Sequence, residues 1–309
     1  MQGVVTKTTG SWYIVKTKDG IFRECRIKGK FRIQGFKSTS PVVVGDCVTV
    51  KEEGGNWMIV DLQKRKNYIV RKSVNLSKQT HIIAANINQA ILVVTIKSPV
   101  TTTGFIDRFL ASARAYSVDV LLLFNKLDIY SEEVMKSQKK LQSIYEKIGY
   151  KCLSLSVLND DLTEIKSLMQ AKVNVISGHS GVGKTTLINK LQPNFSFATK
   201  EISEQHHQGQ HTTTFSEMHE LDFGATIIDT PGIRGFGLVE MEKQELSDYF
   251  TEFFALKSGC KFHNCIHVNE PHCAVKDAVA TGEIANSRYI SYLSMLEGEE
   301  EYYRTNKYD

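Results

Sequence analysis

The sequence predicts three domains: an all-β barrel, an α/β domain with a largely parallel sheet, and a mainly helical domain that binds a metal ion. Three observations support this fold class. Short strands of alternating polarity fill the beginning of the 309-residue chain, near-continuous apolar strands then alternate with helices, and three cysteines cluster near the end. The expected domain boundaries are 1–66, 67–238 and 239–309.

The composition argues against a membrane-spanning, secreted or disulfide-bonded protein. The chain is 41% hydrophobic, yet no apolar run approaches the roughly 18 residues that a membrane span needs. The N-terminal residues lack the basic segment, apolar segment and cleavage site of a secretion signal. Cys25, Cys47 and Cys152 are isolated, which is not the pattern of a disulfide framework. We expect a cytoplasmic, monomeric protein that does not associate with membranes.

Residues 1–66 have the pattern of a small barrel. Apolar and polar residues alternate in short segments, and turns such as Asp19-Gly20 and Gly54-Gly55 separate them. About five strands of this length fit an oligonucleotide/oligosaccharide-binding (OB) barrel, and an SH3-like barrel would give much the same pattern. The strand segments are GVVTKTTGSWYIVKT, IFRECRIKG and DCVTVKEEGGNWMIVDLQ.

Basic residues are concentrated at the start of the chain. Residues 1–75 hold 15 Lys and Arg against 6 Asp and Glu, whereas the remainder holds 23 against 28, which gives the net charge of +4. This distribution favours a polyanionic partner for the first domain. A solvated basic surface explains the charge equally well.

Beyond residue 80 the pattern changes to that of an α/β domain. The segments HIIAANINQAILVVTI and VDVLLLFNK are near-continuous apolar strands, as expected in a parallel sheet covered on both faces. GFIDRFLASARAYS has apolar residues at helical spacing, and Ser131 is placed to cap a second helix. Residues 65–80 are expected to form a polar, basic connection. Further strands are expected at KCLSLSV, KVNVISG and GATIIDT.

The stretch GHSGVGKTTL, residues 178–187, has the spacing of a phosphate-binding loop between a strand and a helix. Its glycines let backbone N–H groups turn toward an anion, and the helix adds the positive end of its dipole. Lys184 is expected to bridge the β- and γ-phosphates, and the Thr185 hydroxyl to bind Mg²⁺. The predicted nucleotide-binding residues here are Gly178, His179, Ser180, Gly181, Val182, Gly183, Lys184, Thr185 and Thr186.

Two downstream motifs complete a phosphate site. IIDTPG ends an apolar strand with Asp229, which is placed to hold Mg²⁺ through water, and Gly232 can offer its N–H to a γ-phosphate. HHQGQHTTTF suits a loop that orders when a threonine hydroxyl reaches Mg²⁺. Thr213 is the predicted residue, with Thr212 and Thr214 as alternatives. A polar surface loop without a role is the competing interpretation.

A base-reading motif lies upstream of the phosphate loop. LLLFNKLDIY delivers Asn125, Lys126 and Asp128 to the C-terminal end of a strand, where ligands bind in open α/β sheets. The Asp128 carboxylate can accept from the two N–H groups that distinguish the edge of guanine, which gives strong discrimination. Asn-Lys-x-Asp alone is a common surface turn. The apolar strand before it, and the later strand that ends in Ser154-Leu155-Ser156, make the motif specific. The predicted GTP-binding residues at this end of the site are Asn125, Lys126, Asp128, Ser156 and Val157.

The order of the motifs is that of a cyclically permuted GTPase domain. The base reader and the Ser156 loop precede the phosphate loop, and the threonine loop and Asp-Thr-Pro-Gly follow it. With PVVVGD at 41–46 in the barrel and a cysteine cluster near the end, the sequence resembles the RsgA/YjeQ family of circularly permuted GTPases. The resemblance covers essentially the whole length.

The resemblance implies a GTPase that the small (30S) ribosomal subunit stimulates and that acts in late maturation of this subunit. It also implies that the barrel and the zinc domain contact ribosomal RNA. In this family His211 would position the attacking water, because Ile233 stands where a glutamine is usual. Gln210 replaces a common arginine and Val157 a usual alanine, and neither change removes a required donor or acceptor.

The cysteine cluster has the pattern C-x4-C-x-H-x5-C, formed by Cys260, Cys265, His267 and Cys273. Three thiolates and one imidazole fill a tetrahedral site, so we expect one structural Zn²⁺. His263 and His272 lie nearby as alternative ligands, and the resemblance favours His267.

The predicted function is Mg²⁺-assisted hydrolysis of GTP to GDP and phosphate. The predicted catalytic residues are Lys184, Thr213 and His211, and Thr185 and Thr213 are the predicted Mg²⁺ ligands. Two other functions remain open. The first is a nucleotide-gated RNA-binding module whose slow turnover is incidental, and the second is a P-loop ATPase or nucleotide kinase, against which Asp128 argues.

Overall fold

The computed structural model describes residues 1–27, 41–72, 80–193, 216–229 and 243–298. Within these residues a barrel, an α/β domain and a helical domain follow one another along the chain, as predicted. Their exact boundaries stay a prediction. None of the helices in the described residues is long and apolar enough to cross a membrane.

The first five strands close into a barrel. Strand β1 pairs with β2 and β4, β2 pairs with β3, and β4 pairs with β5, all antiparallel, while β3 and β5 are parallel. This closed order 1-2-3-5-4 is the OB arrangement, so the SH3-like alternative does not apply. The strands are β1 (Gln2–Thr9), β2 (Trp12–Thr17), β3 (Phe22–Ile27), β4 (Cys47–Glu53) and β5 (Asn56–Leu62).

Alternation along the strands fills the barrel interior. Residues at every second position of β2 are buried, and they pack with inward residues of the other strands because successive side chains of a strand point to opposite faces. The buried cluster consists of Val5, Tyr13, Val15, Cys25, Val42, Val48, Val50 and Ile59.

The connection between barrel and α/β domain contains a hairpin that the sequence patterns did not reveal. Strands β6 (Tyr68–Lys72) and β7 (Thr80–Ala85) form a separate two-stranded sheet. The apolar run from residue 81 is therefore two strands, since the left-handed Asn86 interrupts it. The Asn67 side chain holds the backbone just after Asn86. Its amide oxygen accepts from the Ile87 N–H, and its amide N–H donates to the Ile87 carbonyl.

Within the described residues, six strands form the sheet of the α/β domain, in the spatial order β10-β9-β8-β11-β13-β12. All pairs are parallel except β12–β13. Strand β8 is buried along its whole length, which explains its continuous apolar sequence. The strands are β8 (Gln89–Val94), β9 (Asp119–Phe124), β10 (Lys151–Ser154), β11 (Val173–Ser177), β12 (Glu217–Glu220) and β13 (Thr226–Asp229).

Helices cover both faces of this sheet. One face packs against α1 and α2, and the other against α3 and α4. As predicted, Ser131 caps α2: its hydroxyl accepts from the Val134 N–H, and acidic residues occupy the first turn, where the helix dipole favours them. The helices are α1 (Thr103–Ala115), α2 (Glu132–Lys147), α3 (Thr163–Met169) and α4 (Lys184–Leu191).

The last domain consists of short helices around the cysteine cluster. The chain before the cluster does not form one continuous helix, because the backbone of Phe250 is extended. Its ring and that of Phe253 pack against Tyr292 in the domain core. The helices are α5 (Lys243–Leu246), α6 (Thr251–Leu256), α7 (Ala274–Ala280) and α8 (Asn286–Glu297), with 3₁₀ turns at Ser247–Tyr249 and Lys257–Gly259.

The barrel contacts the strands that follow it through β12 and β7. Strand β1 pairs with β12 through Lys7 and Glu217, whose side chains also form an ion pair of 2.8 Å. Gly45 lies against β7 with a φ of +90°, where a Cβ would come within 2.0 Å of the Ala85 carbonyl oxygen. A side chain at position 45 would therefore force the two parts apart.

A buried ion pair holds the segment that contains Gly45. Arg65 contacts both carboxylate oxygens of Asp46 at 2.7 Å, and the exposed fractions of the two side chains are 5% and 0%. Asp46 also accepts from the Val43 N–H at 2.8 Å. Asp46 thus fastens the turn to the residues after β5.

We expect Arg65→Met to lower the free energy of unfolding by about 3 kcal/mol, because it leaves the Asp46 carboxylate buried without its cation. Urea unfolding followed by circular dichroism measures this. Lys16→Gln is the matched control, since it removes a more exposed ion pair with Glu220 and should cost less than about 1 kcal/mol. Equal losses of free energy of unfolding in the two variants would contradict a special role for the buried Asp46–Arg65 pair.

Candidate functional site

The predicted nucleotide-binding segments meet at the C-terminal edge of the parallel strands. Strand β11 leads into the phosphate loop, β9 into Asn125–Asp128, and β10 into Ser156. Strand β13 ends at Asp229, next to β11. The sheet therefore brings four segments together although their order along the chain is permuted.

The phosphate loop turns sharply between β11 and α4. Gly178, Gly181 and Gly183 all have positive φ values, of 140°, 79° and 104°. A Cβ at Gly183 would lie 2.4 Å from the Asn125 side-chain nitrogen, so only glycine fits there. The Lys184 ammonium donates to the carbonyls of Gly178 and His179 at 2.8 and 2.6 Å, which places it across the mouth of the loop.

The remaining predicted residues of the loop differ in exposure. Ser180 and Gly181 are exposed, Val182 is buried, and Thr185 and Thr186 are half-buried in the first turn of α4. His179 is half-buried, and its ring lies 3.9 Å from the ring of Phe105, centroid to centroid. Burial, with the nearby Lys184 cation, lowers the pKa of His179, so its ring is neutral at physiological pH.

Asn125 joins the phosphate loop to the base-reading segments. Its side-chain N–H donates to the Val182 carbonyl at 2.8 Å, and its side-chain oxygen accepts from the Val157 N–H at 2.9 Å. Asn125 is only 3% exposed. Two loops that are far apart in the chain are therefore held at a fixed separation by one amide group.

Asp128, the predicted base-reading residue, is exposed and held by a hydrogen bond. Asp128 accepts from the Ser156 hydroxyl at 2.6 Å, and the Ser156 N–H donates to Asp160 at 2.7 Å. Lys126 has a left-handed backbone, and its ammonium donates to the Ser98 carbonyl at 2.6 Å. This arrangement leaves the Asp128 carboxylate exposed to solvent.

Tyr130 belongs to the same site and was not predicted from the sequence. Its hydroxyl donates to the Asn125 carbonyl at 2.8 Å and accepts from the Ile96 N–H at 2.7 Å. Burial raises the pKa of Tyr130, which keeps the hydroxyl protonated as a donor. The only signal in the sequence is its position two residues after Asp128.

Several predicted residues lie outside the described residues. These are His211, Thr213, the alternatives Thr212 and Thr214, and Gly232. For Asp229 the structure describes the backbone, which ends β13 opposite Glu217. The roles of these residues in catalysis and Mg²⁺ binding stay predictions.

The second site is the cysteine–histidine cluster, in which the four predicted ligands come together. Their donor atoms lie within 4.8 Å of one another. The His267 Nδ1 is 3.3 Å from the Cys273 Sγ and 3.6 Å from the Cys260 Sγ, and the two sulfurs are 3.9 Å apart. A tetrahedral zinc site requires separations of about 3.6 Å for N to S and about 3.8 Å for S to S. The cluster thus has the dimensions of such a site.

The residues around the cluster set the protonation of its ligands and hold the turn that contains His267. His267 is fully buried, and burial lowers its pKa, so its ring is neutral, as metal binding requires. Burial raises the pKa of the Cys265 thiol to about 12, and a metal ion would release that proton on binding. The Glu270 carboxylate accepts from the N–H groups of Ile266 and Val268 and so closes the turn. His263 and His272 are exposed and stand outside the cluster.

Comparisons with known proteins agree with the geometry. The profile of the RsgA GTPase matches residues 62–239, and that of the RsgA N-terminal domain matches residues 2–58. The Small ribosomal subunit biogenesis GTPase RsgA of Christiangramia forsetii is 56% identical over 100% of this chain and 99% of its own length. The protein of the same name from Phocaeicola vulgatus is 52% identical over 97% of this chain and 98% of its own.

Two solved structures share the whole architecture. YjeQ from Thermotoga maritima superposes with a TM-score of 0.79 and 33% identity, covering 96% of this chain and 97% of its own. YloQ, a circularly permuted GTPase, gives a TM-score of 0.76 and 27% identity, covering 99% and 96%. The chain is a GTP hydrolase, and it belongs to the RsgA/YjeQ family of circularly permuted GTPases.

Proposed function

We propose that this chain hydrolyses GTP when it is bound to the small (30S) ribosomal subunit and acts in late maturation of that subunit. The observation that supports a guanine-nucleotide site is the bridge at Asn125, which joins the predicted phosphate loop to the segment that holds Ser156, the partner of Asp128. Relatives that match the chain over nearly its full length are named small ribosomal subunit biogenesis GTPases.

The residues at the phosphate end of the site would stabilise negative charge on the nucleotide and hold Mg²⁺. Lys184 and the N–H groups of the loop would stabilise the negative charge that develops on the γ-phosphate. Mg²⁺, bound together with the nucleotide, would neutralise the phosphates, and Thr185 and Thr213 are the residues proposed to hold it. Support for Thr185 is its place in the first turn of α4, directly after Lys184.

His211 is proposed to orient the attacking water. Ile233 occupies the position where a glutamine is usual, and its aliphatic side chain has no group that bonds water. The proposal for His211 follows from the resemblance of the threonine loop to that of the RsgA/YjeQ family.

The barrel is the proposed contact with ribosomal RNA. The Arg26 guanidinium lies 3.8 Å from the Trp12 ring, and Phe22 is 59% exposed. Aromatic and guanidinium planes on a basic surface suit stacking on unpaired bases and contact with phosphates. The charge of the first domain is consistent with this partner.

Zinc is the metal proposed for the cysteine–histidine cluster, with Cys260, Cys265, His267 and Cys273 as its four ligands. The support is the donor set and its dimensions, because three thiolates and an imidazole form a closed tetrahedral site without a position for substrate. Elemental analysis of the purified protein should give one zinc per chain.

The proposed function predicts that purified small subunits raise the GTPase rate of the wild-type chain. We expect His211→Ala to lose about 100-fold of the stimulated rate, since the attacking water is no longer oriented, while its GDP affinity is unchanged. Phosphate release with and without subunits measures this. A His211→Ala rate equal to that of the wild type would favour an RNA-binding module whose turnover is incidental.

The base-reading role of Asp128 makes a second prediction. In Asp128→Asn an amide N–H replaces an acceptor, so GTP affinity should fall on the order of 10³-fold or more and xanthosine triphosphate should bind in its place. Competition binding with GTP, ATP and xanthosine triphosphate measures the change. Asp160→Asn, which alters the neighbouring Ser156 contact, is the control and should keep the preference for GTP. Tight ATP binding by the wild type would contradict the guanine pocket.

A further inference from the structure

Helix α1 contacts the phosphate loop at its N-terminal end. The Phe105 ring lies against the His179 ring, with 3.9 Å between centroids and 34° between planes. The loop before α1 also reaches both nucleotide-binding segments. The Ser98 carbonyl accepts from Lys126, and a Cβ built on Gly181 would lie 3.6 Å from Pro99. A displacement of α1 would therefore shift the phosphate loop and the predicted base-reading segment.

The same helix is tied to the C-terminal domain by a buried charged cluster. Asp107, two residues after Phe105, receives a hydrogen bond of 2.7 Å from Arg288 on α8 and one of 2.8 Å from the Tyr145 hydroxyl. Arg288 also donates to Glu252 on α6 at 2.7 Å. Arg288 and Asp107 are 2% and 0% exposed. The fork of one guanidinium thus joins the GTPase domain to two helices of the last domain.

Helix α8 also holds the cysteine–histidine cluster. The hydroxyl of Tyr289, the residue after Arg288, donates to the His267 carbonyl at 2.7 Å. The hydroxyl of Tyr292 donates to the Ile266 carbonyl at 2.6 Å. The backbone that carries a proposed metal ligand is therefore bonded to the helix whose arginine reaches α1.

We propose that Arg288 is a positioning residue for nucleotide binding, which fixes α1 against α8 and couples the cysteine–histidine cluster to the phosphate loop through Phe105 and His179. The proposal rests on the proposed role of residues 178–186 as the phosphate loop. A buried carboxylate is strongly unfavourable without its cation, so α1 and α8 keep one relative position as long as Asp107 and Arg288 are paired. Loss of the contacts of α8 with Asp107 or with the cysteine–histidine cluster releases that constraint.

The first test measures the affinity for a fluorescent N-methylanthraniloyl derivative of GDP, with Mg²⁺ present. Arg288→Lys keeps the charge but loses the fork, and its Kd should rise at least about 5-fold. Lys257→Gln is the matched control. It removes an ion pair with Asp248 in the same domain, 28% and 35% exposed, and should leave the Kd unchanged. A folded Arg288→Lys protein with wild-type Kd would overturn the proposal.

A double-mutant cycle tests the route through Phe105. If Arg288 acts through the Phe105–His179 contact, Arg288→Lys should weaken GDP binding less in a Phe105→Leu background than in the wild type. Fully additive effects on the Kd would show that Arg288 does not act through this contact. Thermal unfolding of all four proteins separates this result from a general loss of stability.

A measurement on the wild-type chain needs no substitution. Coupling between two binding sites is reciprocal, so GDP should raise zinc affinity by the same factor, at least about 5-fold, by which zinc raises GDP affinity. Competition with a zinc-selective chelator, at excess Mg²⁺, gives the zinc affinity with and without GDP. If zinc affinity does not depend on GDP, the coupling between the two sites is overturned, while the phosphate-loop role still stands. A wild-type chain that does not bind GDP would overturn the phosphate-loop role as well.

Discussion

The side-chain amide of Asn125 is the contact on which the nucleotide site depends. It bonds Val182, 57 residues away in the phosphate loop, and Val157, 32 residues away in the base-reading segment. Because the permutation changes the covalent order of these loops, chain continuity does not set their spacing. One buried hydrogen-bonding group does, and Gly183 leaves the space that this group needs.

Buried polar contacts also hold larger parts of the molecule together. Two buried ion pairs do so: Asp46 with Arg65 fixes the turn that contains Gly45, and Asp107 with Arg288 joins α1 to α8. Apolar packing fills each domain but is tolerant of small shifts, whereas a paired buried charge permits one placement.

The parts of the molecule that the sequence predicted are those with local signals. The motif GHSGVGKTTL, which turns between β11 and α4, and the cysteine–histidine pattern, whose four residues cluster, have fixed spacings, and the apolar runs of β8 and β9 reveal a buried sheet. The hairpin of β6 and β7 was not predicted, because Asn86 breaks an apolar run that has no proline or glycine. Arg288 was not predicted either. Its partner Asp107 is 181 residues away, and no periodic pattern reports such a contact.

The most direct test of the central claim compares GDP and IDP binding in wild type and Asn125→Asp. The aspartate keeps the acceptor for the Val157 N–H but loses the donor to the Val182 carbonyl. Affinity for both nucleotides should fall about 10-fold or more, because a buried carbonyl loses its donor, and their ratio should stay constant because the proposed base reader, Asp128, is unchanged. Unchanged affinities, or a lost preference for GDP over IDP, would contradict the account.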